Sequence, residues 1–134
     1  MDKLEYVPGD LVKFATNTYT IVNFEENFLH NKICYAMIST NSTKTAFVAD
    51  RDILPIPITP EILEKNGWKK KMYCDWCHYL PIEGNILYLS KGIGIDGAFS
   101  VDVGQDMSYI ASISFVHQLQ HLFFGLGLKS EMKV

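Results

Sequence analysis

One segment, TPEILEKNG (59–67), constrains this chain most, because it carries a full set of helix start and stop signals between two stretches of short, strand-like runs. Thr59 is a natural N-cap, Pro60 suits the first helical position where its missing N–H would find no partner, and Glu61 favours the positive helix end. Asn66-Gly67 supplies the left-handed stop. The segment predicts a short helix of about two turns.

Before it, DLVKFA (10–15) and YTIVNFEE (19–26) flank Thr16-Asn17-Thr18, and KICYAMIST (32–40) and KTAFVA (44–49) flank Asn41-Ser42-Thr43. β-Branched and aromatic residues fill the runs and polar turn formers fill the gaps, which is the signature of two hairpins. Pro55 and Pro57 restrict the next extended segment to an edge. Five such strands suggest a small SH3-like β-barrel or a strongly bent sheet. After the helix come NILYLSKG (85–92), AFSVDVG (98–104) and SYIASI (108–113), an antiparallel meander in which Phe99, Val101 and Val103 alternate with Ser100 and Asp102. The expected class is α+β: a β-rich unit over 1–58, then an αβββα unit over 59–134 sharing one core with it, within a chain of 134 residues.

Ser114 is placed to cap a last helix, FVHQLQHLFFGLGL (115–128). At 100° per residue, Phe115, Val116, Leu119, Leu122, Phe123 and Leu126 form a core stripe of roughly 120°. His117, His121, Phe124 and Leu128 gather on the opposite face, where a solvated helix would carry Lys and Glu. That second apolar face predicts an interface with the N-terminal sheet or with a second copy, hence a homo-oligomer.

Composition narrows the function classes. The net charge of −3 gives no overall positive field for duplex nucleic acid, although local cations suffice for a small anion. No run reaches the roughly 18 apolar residues of a membrane span, and MDKLEYVPGD lacks the basic and apolar pattern of a signal peptide. The expected location is the cytoplasm. An odd cysteine count of three, without an export signal, argues against a disulfide framework and for reduced thiols.

KKKMYCDWCHYL (69–80) is the densest chemical segment. Cys74-x-x-Cys77-His78 matches a haem attachment box, but that chemistry belongs to an exported chain. With His117 and His121 four apart on one helix, Cys74 and Cys77 would complete a Cys2His2 zinc set, across a far longer interval than a compact finger has. A redox pair needs the motif at a helix start, and Pro81 fits that badly. GIGIDG (92–97) satisfies G-x-G-x-x-G formally, but a strand follows where the dinucleotide fingerprint needs a helix. Asp50 and Asp52 read as turn formers around Arg51. No nucleophile elbow, P-loop or H-E-x-x-H occurs, so no enzyme and no cofactor are expected. What remains is a binding surface. Lys69, Lys70 and Lys71 run into Tyr73, Trp76 and Tyr79, placing cations beside flat rings, which suits a nucleobase with an attached phosphate.

The strings ILPIPITPEILEKNGW (53–68) and FVHQLQHLFFGLGLKSEMKV (115–134) resemble a family of small proteins common in phages and mobile elements of gut bacteria. The resemblance rests on a P-I-P-I-T-x-E-x-L helix entry and a V-H-x-L-Q-x-L-F-F closing helix; His121 stands where the family commonly has Asn. No residue-by-residue activity comes with it. It implies a non-enzymatic protein in the cytoplasm of a host cell, such as an oligomeric sponge that sequesters a nucleotide-derived defence signal. The alternative is an interaction protein acting on a host protein or nucleic-acid machine through the edge near Pro55 and Pro57.

Overall fold

The computed structural model describes residues 6–27, 32–72, 77–91 and 98–134. It contains antiparallel strands in two five-stranded sheets, with two short α-helices, one of them near the C-terminus. This is the expected α+β class. The chain divides into two compact units, Met1–Ile56 and Pro57–Val134, two residues before the boundary that the helix cap suggested.

In the first unit β1 (Leu11–Phe14), β2 (Asn17–Asn27), β3 (Lys32–Ser39), β4 (Thr45–Ala49) and β5 (Leu54–Pro55) form a sheet in the order β4-β3-β2-β1-β5. β4 and β5 stand at opposite edges, so the sheet is open and the SH3-like barrel does not close. The alternation of the sequence decides which face is covered. Val12, Tyr19, Ile21, Tyr35, Met37 and Val48 point to one side and form a buried core with Tyr6 and Ile53. A bulge between Ile21 and Asn23 bends β2 and leaves Val22 exposed on the other side. The β1–β2 turn differs from the expected Thr16-Asn17-Thr18: Asn17 already pairs with Phe14, and Ala15 makes the reversal with a φ of 57°. Asp50–Asp52 form a single 3-10 turn, as their turn chemistry suggested.

In the second unit α1 (Pro60–Lys65) begins as its sequence dictates, with Thr59 Oγ1 accepting the Ile62 N–H at 3.2 Å. β6 (Lys69–Lys70), β7 (Cys77–Ile82), β8 (Asn85–Lys91), β9 (Phe99–Val103) and β10 (Ser108–Ile113) follow in the sheet order β10-β9-β8-β7-β6. β6 and β7 were not among the expected strands, and β7 contains Pro81. Its presence has a local reason: β6 pairs only with His78 and Tyr79, so Pro81 lies where β7 has become an edge. His78, Leu89 and Val101 lie in one cross-strand row and are buried.

The closing helix α2 (Val116–Gly125) starts differently from the expected Ser114 cap. Gln118 reaches back, its Oε1 accepting the N–H groups of Ser114 at 2.7 Å and Phe115 at 3.1 Å. A left-handed Gly127 with φ 74° follows the helix, and the N–H of Leu128 donates to the Phe123 carbonyl, a Schellman stop that ends α2 three residues inside the expected end. Val116, Leu119 and Phe123 are buried as the core stripe required, and Phe123 stacks on Trp68 at 6.2 Å. Leu126, past the helix end, is exposed. Of the opposite face, His117 is buried and Leu128 half-buried, whereas His121 and Phe124 are exposed. No helix among the described residues is long and apolar enough to cross a membrane.

Candidate ligand-binding face

Strand alternation splits the lysine run between two sides of the second sheet. Lys70 pairs with His78 and so joins the row of buried Leu89 and Val101, whereas Lys69 pairs with Tyr79 and joins the outer row. That outer row reads Lys69, Tyr79, Tyr88, Asp102 and Tyr109, one residue from each of the five strands in direct cross-strand register. The neighbouring row reads Cys77, Ser90, Ser100 and Ser112. The outer face is therefore an aromatic tier set in small polar residues.

Lys71 completes it. Its N–H donates to the Cys77 carbonyl at 2.8 Å, and its ammonium lies 5.8 Å from the centre of the Tyr88 ring, a cation–π contact. Tyr79 and Tyr88 are half-buried, which fixes their rings, while Tyr109 is 63% exposed. The Tyr109 hydroxyl and Ser112 Oγ are 2.7 Å apart, and Ser100 Oγ donates to Asp102 at 3.4 Å. Positive charge thus sits at the β6 edge and a carboxylate three strands away, about 14 Å at the usual strand spacing. A ring bearing an anionic group can stack here with its charge toward Lys69 and Lys71 and its hydrogen-bond donors toward Asp102.

The sequence singled out Lys69, Lys71 and Tyr79 of this tier and missed Tyr88, Asp102 and Tyr109. Part of their signal was present: Tyr88 alternates with buried Leu87 and Leu89 in β8, and Asp102 adjoins buried Val101 in β9. Tyr73, Cys74, Trp76 and the glycines of 92–97 lie outside the described residues.

The metal-type residues are arranged otherwise. Cys77 is disulfide-bonded, so its sulfur is not the thiolate a metal needs, and among the described residues Cys34 is a free thiol. An odd count of three admits one bond, which corrects the expectation of reduced thiols. His117 and His121 meet edge to face at 5.6 Å, and Phe115 stacks on His117 at 6.0 Å. Burial, with His121 adding to it, pushes the His117 pKa down to about 4. No group of three or more metal-type ligands occurs among the described residues. His78, next to Cys77, is also held neutral by burial, opposed by Glu64 and aided by Lys70, and neither ring nitrogen has a hydrogen-bond partner. No family model, curated protein or solved structure matches the chain.

Proposed function

We propose that this chain is a non-enzymatic binding protein whose ligand is nucleotide-like, an aromatic base carrying phosphate, held on the outer face of the second sheet. One observation carries the reading: Lys69, Tyr79, Tyr88, Asp102 and Tyr109 fall in a single row, with the Lys71 ammonium 5.8 Å from the Tyr88 ring. Tyr79 and Tyr88 supply the stacking surface, Lys69 and Lys71 meet the phosphate, and Asp102 accepts from amino or hydroxyl groups. Base–aromatic stacking is worth about 1–3 kcal/mol per base, against roughly 8 kcal/mol for micromolar binding, so the cations must supply a large share of the affinity. Within the resemblance to phage and mobile-element proteins, such a surface serves to sequester a nucleotide signal.

The test is a melting-temperature series with cyclic, linear and ADP-ribose-derived nucleotides and short single strands. A ligand at 100 times its Kd adds about 2.7 kcal/mol of stability. A response lost in Tyr88→Ala and Lys71→Ala supports the reading; a flat response across the whole series overturns it.

A further inference from the structure

Among the described residues, three of the four sheet edges are blunted by the devices that proteins use against strand pairing. β5 is two residues long and contains Pro55, β6 is two lysines, and β10 carries a bulge between Tyr109 and Ala111. β4 has none of these. Its five residues, TAFVA, hold no charge and no proline, and Phe47 is 58% exposed.

Its hydrogen-bonding groups can be assigned. Ser39 N–H donates to the Lys44 carbonyl, so by antiparallel alternation the even-numbered residues bond to β3. Thr45, Phe47 and Ala49 then direct their N–H and C=O groups to the edge. We infer that this edge pairs with β4 of a second copy, antiparallel about a two-fold axis through Phe47. That register matches Thr45 with Ala49 of the second copy and Phe47 with its own counterpart, and uses all three outward residues of each strand. It also preserves the faces: Ala46 meets Val48 on the core side, and the two Phe47 rings extend the exposed apolar strip of Val22 and Ile38.

Charge selects the second copy over other extended segments. Lys44 directly precedes β4 and Asp50 opens the 3-10 turn just past its end, so the same register brings Lys44 of each chain to the point where the other chain leaves the strand at Asp50, twice per dimer. A strand with like charges at its two ends would repel itself in this arrangement.

The experiment is sedimentation equilibrium of the full chain with cysteine cross-linking in a Cys34→Ser background. A dimer is expected, weakened about tenfold by Lys44→Glu and restored by Lys44→Glu with Asp50→Lys, an exchange that a merely structural lysine would not rescue. Phe47→Cys should cross-link to itself, since bonded antiparallel partners lie about 5.5 Å apart at Cα, whereas Thr45→Cys should not. Phe47→Pro, which removes an N–H that β3 does not use, should give monomer. A monomer at roughly 0.5 mM, a dimer that survives Phe47→Pro, a charge exchange that fails to restore, or equal cross-linking at positions 45 and 47 would each overturn the inference.

Discussion

Lys71 holds its ammonium over Tyr88 from a strand edge two strands away, 5.8 Å from the ring centre, and both side chains stand on the outer face of the second sheet. The lysine is exposed, so Lys71→Ala should cost no more than about 1 kcal/mol of stability. Ligand affinity should fall more, about tenfold, because the ammonium there also meets phosphate. Tyr88→Ala should lower affinity by about 1–3 kcal/mol. Urea denaturation beside calorimetric titration separates the two effects, and equal losses in both would remove Lys71 from the binding surface.

How far the sequence reaches follows from the same residues. α1 was legible because Thr59, Pro60 and Gly67 act within a few bonds of the backbone they direct. β7 was not, because Pro81 breaks a strand only where its side is paired, and the length of β6 is a tertiary fact. The lysine run was read as one cluster, yet alternation turns Lys70 away from Lys69 once both are in β6. Tyr88 and Tyr109 were passed over because a row across five strands exists only once the pairing register is set. Ser114 lost the α2 cap to Gln118, whose longer side chain satisfies two N–H groups together.

Stability should rise with pH between about 4 and 6.5. The His117 pKa is pushed down to about 4 in the fold, against about 6.5 in the unfolded chain, so within that window the unfolded state holds the extra proton. The contribution is complete above the unfolded value and is lost as pH falls toward the folded one, on the order of 3 kcal/mol in all. His78 acts in the same direction. Urea midpoints at pH 7.5 and 4.5 should differ less in His117→Leu than in the parent chain; an unchanged difference would show that His117 does not govern the slope.

Asn66 binds the C-terminal segment to the end of α1. Its Nδ2 donates to the carbonyls of Ile62 and Lys133, both at 2.7 Å, and its Oδ1 accepts the Lys133 N–H at 2.8 Å. Asn66→Ala should cost about 1 kcal/mol, since part of the network is open to water. The sharper readout is hydrogen exchange, in which the Lys133 amide should lose its protection. Asn66→Asp, which keeps the acceptor and loses the donors, should retain part of it.

Two backbone positions should respond to opposite exchanges between alanine and glycine. Ala15 turns the β1–β2 hairpin at φ 57°, where a Cβ crowds the following carbonyl at a cost of about 1–2 kcal/mol. Glycine removes that strain and adds unfolded-state freedom worth about 0.4–1 kcal/mol, so Ala15→Gly should stabilise by up to about 1 kcal/mol. Gly127 closes α2 at φ 74°, and a Cβ there would meet no atom within 4 Å. Any cost of Gly127→Ala is therefore backbone strain alone, about 1 kcal/mol. Chemical denaturation of both variants checks the pair. A destabilised Ala15→Gly would mean that its Cβ packing outweighs the strain, and a neutral Gly127→Ala would mean that the helix end relaxes to a right-handed stop.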